Sequence, residues 1–198
     1  HDLELLAFLE REQVNDVVLS FDEHFSLDKP GVVLGTSSTR RKAQLRRFYP
    51  DATTAEARGN LQTRLRKLKE GQFDALVLAC THYPLIKEQI VPATGQGSIA
   101  VECAVGLDAA LKKQIKMALD HPATHACLLA ERAFLHTMEG GCSIPSFALA
   151  RFDGAGALRL HAGIISLSGE EYVDETQTAP MADALALGTA VANSVLAC

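Results

Sequence analysis

The sequence predicts an α/β protein in which helices cover a parallel or mixed sheet, followed by a smaller α+β domain with an antiparallel sheet. Two observations predict this class. Between about residues 14 and 90, short β-rich runs alternate with helical patterns, and this order favours a mostly parallel sheet. From residue 121 onwards, a helical pattern precedes alternating segments and a closing helix, which is typical of an antiparallel α+β unit.

Local signals delimit the elements of the first region. The predicted strands cover 14–19, 31–34, 52–57 and 74–79. Helices are predicted over 38–48 and 60–69, and these end at Pro50 and Gly71. Leucines recur at i, i+4 and i+7 in the second helix, so one of its faces is expected to be buried.

The remaining elements follow after a glycine-rich turn at 94–97. They are predicted as a strand at 99–102, a helix with apolar residues along one side before residue 120, a helix at 122–138, alternating segments at 146–152, 157–166 and 171–177, and a closing helix at 181–197. A Gly-Gly pair ends the helix at 122–138. We therefore divide the chain into 1–91, 92–120 and 121–198.

Composition excludes several classes of protein. With 47% hydrophobic and 22% charged residues, the chain can bury a core and is not a disordered tail. It has no apolar run of bilayer length and no signal peptide, so we expect a cytoplasmic protein without a membrane partner. The five cysteines are widely spaced and form no CxxC pair, which argues against a disulfide framework or a metal site.

Charge is distributed unevenly along the chain. The net charge is −5, yet residues 40–69 carry a local balance of +8, so the rest carries −13. An acidic protein that gathers most of its arginines in one stretch is expected to hold an anion there. Overall acidity and the absence of tryptophan weigh against nucleic acid as that anion.

The first candidate site is the stretch Gly35–Arg41, which follows a predicted strand and opens a helix. Backbone N–H groups at a helix start form an anion cradle, helped here by hydroxyl groups. The hydroxyl-bearing residues are Thr36, Ser37 and Ser38. Arg40 and Arg41 oppose the helix dipole, and a bound carboxylate or phosphate would explain their position.

The second candidate site, Arg58-Gly59-Asn60, also lies between a strand and a helix, with Arg64 one turn beyond. Loops at the carboxyl ends of neighbouring parallel strands meet at one edge of a sheet. The arginines at these junctions are therefore expected to converge on one polyanionic ligand: Arg40, Arg41, Arg58 and Arg64. A solvated basic face is the alternative, and it is the one that we expect for Arg46, Arg47 and Arg66.

A third feature, Glu139–Pro145, presents Cys142 after two glycines and before a proline. These neighbours give the cysteine exposure and backbone freedom. From the residues alone, covalent attachment or reactivity and a plain structural role stay equally open.

Five stretches of the chain, in this order, resemble the signature motifs of the porphobilinogen deaminase (hydroxymethylbilane synthase) family. They are Gly35–Arg41, Arg58–Arg64, Pro92–Gly97, Ala130–Ala133 and Glu139–Pro145. The phrases around them also match, so the resemblance covers most of the chain. An ordered set of five motifs is far more specific than any one of them.

The resemblance implies a transferase of tetrapyrrole and heme biosynthesis. Family members build a dipyrromethane cofactor from two porphobilinogen molecules and hold it by a thioether, here to Cys142. Each added porphobilinogen loses ammonia, the free α-carbon of the bound chain attacks the resulting azafulvene, and water releases hydroxymethylbilane. Cofactor-binding residues are implied at Thr36, Ser37, Ser38, Arg40, Arg41, Arg58, Gly59, Asn60 and Arg64. No metal is required, and family members are usually monomers.

The resemblance also implies a periplasmic-binding-protein-like domain, here 1–91. The segment 92–120 is then a crossover that belongs to an incomplete first domain, and 121–198 carries the cofactor cysteine. Nothing in the chain matches the family's His-Ser-x-Lys-Asp stretch, whose aspartate is catalytic. The chain is therefore expected to be partial, to contain no catalytic residue of its own, and to risk inactivity when isolated.

The segment 80–87 departs from the family and locally resembles the Cys-Thr-His of glutamate racemase. Racemisation of that type needs a second cysteine, and no partner motif is present. We expect Cys80 and His82 to be a strand-end cysteine and a loop histidine. Two alternatives to the transferase stay open, an amino-acid racemase and a non-catalytic anion- or nucleic-acid-binding module.

Overall fold

The computed structural model describes residues 2–79, 90–139, 144–153 and 156–198. Two predicted features lie outside these ranges, namely Cys142 with its glycines and the Cys80-Thr81-His82 segment. Within the described ranges, no helix is long and apolar enough to cross a membrane.

A four-stranded mixed sheet forms the centre of the first half of the chain. Its elements are β2 (Asp16–Leu19), β3 (Val33–Gly35), α1 (Thr39–Phe48), β4 (Thr53–Ala55), α2 (Leu61–Lys69) and β5 (Ala75–Ala79), with β1 described below. The strand order is β2-β5-β3-β4. β3 runs parallel to both β4 and β5, as predicted, but β2 pairs antiparallel with β5. Because β2 lies at the edge, it accepts the opposite direction without disturbing the parallel strands.

Apolar side chains of β3, β5 and α1 form the core of this sheet. Leu34, Leu45 and Ala75 are at most 1% exposed. The predicted buried face of α2 is only partly confirmed, because Leu68 is 5% exposed whereas Leu61 is 48% exposed. Leu61 is the first residue of the helix, directly after the N-cap Asn60.

A separate two-stranded antiparallel ribbon joins β1 (Leu3–Phe8) to β6 (Ala100–Ala104). The sequence predicts β6 within one or two residues, but β1 was not predicted. The helix α3 (Ala109–Leu119) follows, and it contains no buried residue. Its predicted apolar side is therefore largely solvent-exposed, with Leu111 at 43% and Leu119 at 42%.

The last part of the chain forms a three-stranded antiparallel sheet. Along the sequence, one helix precedes the three strands and another follows them. Its elements are α4 (Pro122–Thr137), β7 (Ser146–Phe152), β8 (Ala157–Ile165), β9 (Tyr172–Pro180), a 3₁₀ turn (Met181–Asp183) and α5 (Ala184–Leu196). The strand order is β7-β8-β9, and both pairings are antiparallel. Phe134, Leu160 and Val191 are fully buried where the helices meet the sheet. The predicted α+β unit is confirmed.

Candidate anion-binding site

The two predicted anion loops lie side by side because β3 and β4 are parallel neighbours. The N–H of Thr36 donates to the carbonyl of Ala55 at 2.9 Å, and the N–H of Ala57 donates to Oγ of Ser37 at 3.1 Å. Gly35 is the last residue of β3. A Cβ at this position would lie 2.6 Å from the Phe73 ring, so a larger residue would clash with the ring. Both loops therefore open at the same edge of the sheet.

Hydroxyl groups fix the shape of the first loop. Thr36 is buried, and its Oγ1 accepts from the N–H of Ser38 at 3.3 Å. Ser38 is the N-cap of α1, since its Oγ accepts from the N–H of Arg41 at 3.4 Å. Thr36 and Ser38 thus satisfy backbone groups of the loop, whereas the side chain of Ser37 is directed to the second loop.

Arg40 and Arg41 both converge on the carboxylate of Asp16, the first residue of β2. Nη2 of Arg40 lies 2.9 Å from Oδ2, and Arg41 binds both oxygens, through Nη2 at 2.8 Å and Nε at 3.0 Å. Burial alone would raise the pKa of Asp16, but the charge of Arg40 and the hydrogen bonds from Arg41 and Gln96 outweigh it. The pKa of Asp16 therefore lies below its usual range.

The glycine-rich turn completes this buried network. Arg40 also donates to the carbonyl of Val91 at 2.6 Å and to Oε1 of Gln96 at 3.3 Å. Nε2 of Gln96 donates in turn to Oδ1 of Asp16 at 2.9 Å. The guanidinium of Arg40 is thus held mainly by groups of the protein itself, although its Nε has no partner among the described residues.

A second cluster gathers around Glu56 in the loop after β4. Its carboxylate accepts from Oγ of Ser37 at 2.9 Å, from Nε of Arg58 at 3.1 Å and from Nζ of Lys42. The hydrogen bonds from Lys42, Ser37 and Arg58 lower the pKa of Glu56 to about 2. The cluster is open to solvent, with the side chain of Arg58 81% exposed and that of Glu56 53% exposed. It is therefore accessible to a dissolved anion.

The second loop leads directly into α2. Asn60 is the N-cap, since its Oδ1 accepts from the N–H of Thr63 at 2.9 Å. Gly59 has φ +111°, and a Cβ there would lie 2.9 Å from the Thr63 side chain, so glycine is required at this turn. Nε of Arg64, one turn into α2, is buried and has no hydrogen-bond partner among the described residues. Within the part of the chain that the structure describes, this one nitrogen of Arg64 is thus a buried donor without an acceptor.

The predicted arginines are distributed over two clusters in this structure. Arg40 and Arg41 bind Asp16, whereas Arg58 binds Glu56, and Arg64 keeps a free donor. Sequence reasoning missed four residues that organise these clusters: Asp16, Lys42, Glu56 and Gln96. An aspartate directly before the apolar run Val17-Val18-Leu19 is a signal that could have pointed to a buried ion pair.

Two arginines expected on a solvated face instead contact the C-terminal unit, which corrects that interpretation. Arg46 donates to the carbonyl of Leu167, and Arg47 donates to the carbonyls of Gly169 and Glu170 at 3.3 and 3.2 Å. The guanidinium of Arg47 also lies 4.7 Å from the centre of the Tyr172 ring. Carbonyl groups in the β8–β9 turn accept hydrogen bonds from these side chains. No local sequence pattern predicts these contacts. Arg66 does lie in solvent, 3.8 Å from Glu70.

Comparison with known proteins identifies the family of the chain. Residues 1–112 match the family model described as porphobilinogen deaminase, dipyromethane cofactor binding domain. Residues 125–197 match the model of the porphobilinogen deaminase C-terminal domain. The chain belongs to the porphobilinogen deaminase family. Both arginine clusters of this chain lie within the residues that match the cofactor-binding model.

Curated relatives of the family match nearly all of the chain. It is 42% identical to the porphobilinogen deaminase of Desulfosudis oleivorans over 206 residues, which cover 98% of this chain and 66% of that protein. It is 45% identical to that of Cytophaga hutchinsonii over 204 residues, which cover 97% of this chain and 65% of that protein. The chain thus spans slightly less than two thirds of the length of these relatives.

The donors at the sheet edge fit a dipyrromethane. Such a cofactor carries acetate and propionate groups on each ring, so it needs several cationic or hydroxyl donors in close proximity. Ser37, Lys42 and Arg58 already bind one carboxylate, that of Glu56. The buried Nε of Arg64 lacks an acceptor among the described residues. This donor set is suited to a ligand with more than one carboxylate.

Proposed function

We propose that the chain is part of a hydroxymethylbilane synthase, which joins four porphobilinogen molecules into a linear tetrapyrrole on a covalent dipyrromethane primer. The observation that carries this proposal is the pair of loops after β3 and β4, where hydroxyl and guanidinium donors meet at one sheet edge. Family membership supports the same reading. When bound, the dipyrromethane supplies the free α-carbon to which each pyrrole unit is added.

The residues of this chain bind and orient the carboxylates of the pyrrole chain in this proposal. Ser37, Arg58 and Arg64 contact carboxylates, while Gly59 and Asn60 set the path of the second loop. Thr36 and Ser38 hold the first loop in shape. Arg58 suits the task because a guanidinium presents two parallel donors to a carboxylate and stays charged at all relevant pH values.

Arg40 and Arg41 belong to the proposed site as well, with Asp16 fixing their position. Arg41 keeps N–H groups beyond those that bind Asp16 and the carbonyl of Val77, since a guanidinium has five. The terminal nitrogens of Arg40 instead donate to Asp16 and to three other groups of the protein, so Arg40 contributes mainly its charge. The side chain of Arg41 is 13% exposed and that of Arg40 is 6% exposed. Arg41 is thus the one better placed to reach a ligand while it still holds Asp16.

Cys142 is the proposed attachment point of the cofactor, through a thioether. It lies in the connection between α4 and β7, outside the described residues. The proposed enzyme acts as a cytoplasmic monomer, and its first domain has the periplasmic-binding-protein-like arrangement.

Intact-protein mass spectrometry with peptide mapping tests the proposal on protein expressed in a host that makes porphobilinogen. We expect added mass equal to two porphobilinogen-derived units on the Cys142 peptide. Cys142→Ser should abolish the added mass, and Cys198→Ser, which removes an exposed thiol, should leave it unchanged. Modification that persists in Cys142→Ser would overturn the attachment site. If Cys142 stays unmodified even when the full-length relative's N-terminal region is supplied, the function is wrong.

A further inference from the structure

Glu56 collects donors that the proposed function assigns to the ligand. Ser37 and Arg58 are both proposed to contact pyrrole carboxylates, and both bind the carboxylate of Glu56 in this structure. Lys42, from the first turn of α1, donates to the same carboxylate. Three donors from three segments of the chain therefore meet at one acceptor that belongs to the protein.

The chemistry of Glu56 is that of the expected ligand. Its side chain is a propionate attached to the backbone, and the ligand carries propionate and acetate groups attached to pyrrole rings. The donors cannot distinguish the two kinds of carboxylate by charge or by hydrogen-bonding capacity. Since Glu56 is just over half exposed, it can leave the donors without any rearrangement of the core.

The contact between Glu56 and its three donors is weak enough for a ligand carboxylate to replace Glu56. Ion pairs between exposed side chains contribute little to stability, because water screens the charges and the side chains lose freedom when they pair. A ligand with several carboxylates brings more than one negative charge to this basic stretch, whereas Glu56 brings one. A polycarboxylate therefore has the advantage in a competition for Ser37, Lys42 and Arg58.

We propose that Ser37, Lys42 and Arg58 form a carboxylate subsite that Glu56 occupies as an internal competitor until a ligand carboxylate displaces it. The identity of that ligand as a pyrrole chain rests on the proposed function. The inference adds Lys42 as a ligand-contacting residue and gives Glu56 a role in setting affinity. A glutamate with its ordinary pKa is already ionised at neutral pH, and the donors lower the pKa of Glu56 further, so the competitor is charged there.

Isothermal titration with tricarballylate, a simple tricarboxylate, tests the subsite without any pyrrole chemistry. Glu56→Gln removes the charge of the competitor at nearly constant shape, and we expect tricarballylate to bind about twofold to fivefold more tightly. Glu70→Gln is the matched control, because it removes the same charge from an exposed ion pair with Arg66. Equal tightening in both variants, or none in Glu56→Gln, would overturn the inference.

Two further measurements separate displacement from other causes. Adding Lys42→Met to Glu56→Gln should cancel the gain, because the subsite then lacks its ammonium donor. In the unmodified chain at neutral pH, where tricarballylate is ionised, the NMR signal of the Glu56 carboxyl carbon should shift as tricarballylate is added, since the donors have moved to the ligand. A Glu56 signal that does not respond to saturating tricarballylate contradicts displacement, whatever the variants do.

The cofactor experiment has an independent outcome. Tighter tricarballylate binding in Glu56→Gln, together with a Cys142 that stays unmodified when the relative's N-terminal region is supplied, would support the subsite and reject the pyrrole function. A loaded cofactor without any tightening would support the function and reject the role of Glu56.

Discussion

Arg11 and Glu131 form a buried ion pair between residues 120 positions apart, with Nη1 2.5 Å from Oε1 and Nη2 3.1 Å from Oε2. Glu131 is fully buried, and its carboxylate also accepts from the N–H of Gly95 at 2.7 Å and from the N–H of Ala150 at 2.8 Å. One side chain of α4 thus holds the segment after β1, the glycine-rich turn and β7 together.

Replacing Glu131 should destabilise the protein strongly. Glu131→Ala leaves the Arg11 charge and two backbone N–H groups without their acceptor in a buried place, and we expect the free energy of unfolding to fall by about 3–5 kcal/mol. Urea denaturation followed by circular dichroism measures the change. Glu70→Ala, in an exposed pair with Arg66, should cost less than about 1 kcal/mol. Equal losses in the two variants would contradict the role of Glu131.

Asp16 should make stability depend on pH in the acid range. Because its pKa is lower in the folded state than in the unfolded chain, its contribution is present above the unfolded pKa of about 3.9. The contribution is lost as pH falls from there through the lower folded pKa. Asp16→Asn should therefore be less stable at neutral pH, and the difference from the unmodified protein should shrink on acidification. Unfolding free energies at several pH values give that difference, and a constant gap would refute the assignment.

Arg58 and Arg47 should separate binding from stability. Arg58→Ala should weaken tricarballylate binding and cofactor loading, but change the free energy of unfolding by less than about 1 kcal/mol, because its side chain is exposed. Arg47→Ala should cost about 1–2 kcal/mol, since it loses two carbonyl contacts and the Tyr172 ring, and should leave ligand affinity unchanged. Titration calorimetry measures the tricarballylate affinity of both variants, and urea denaturation measures their free energies of unfolding. The opposite pattern would mean that the wrong arginine has been placed in the site.

Cys127 should be unreactive in the folded protein. Burial raises the pKa of its thiol to about 11, and the nearby charge of Glu131 adds to this, so little thiolate is present at pH 8. Cys198 is exposed. Alkylation by iodoacetamide, followed by peptide mass spectrometry, should modify Cys198 much faster than Cys127, and urea should equalise the rates. Rapid labelling of Cys127 in the folded protein would contradict its burial.

The sequence predicts the elements whose signals are local. The strand ending at Gly35, the helix capped by Ser38 and the helix capped by Asn60 each have a turn, cap or apolar period within a few residues. β1 was missed because it is defined by its pairing with β6, nearly 100 residues later, and not by a turn of its own. The antiparallel direction of β2 is likewise decided by its distant neighbour β5.

The same distinction applies to the site. The position of Ser37 and Arg58 at one sheet edge follows from parallel strand order, which the alternating pattern predicts. Asp16 forms ion pairs with two of the predicted arginines. The pair with Arg40 joins residues 24 positions apart, and no local spacing in the sequence predicts such a contact. The competition between Glu56 and a ligand is visible only once distances between side chains are known.

The shared carboxylate of Asp16 has an electrostatic consequence beyond its own contacts. Within the described ranges, it is the one carboxylate paired with Arg40 or Arg41, so a single negative charge faces two positive ones. About one unit of positive charge therefore stays uncompensated beneath the first turn of α1. Shielded from water, this charge projects a field through the open edge of the sheet. An anion would be drawn towards the loops from several ångströms away, before any hydrogen bond forms, and more slowly as salt concentration rises.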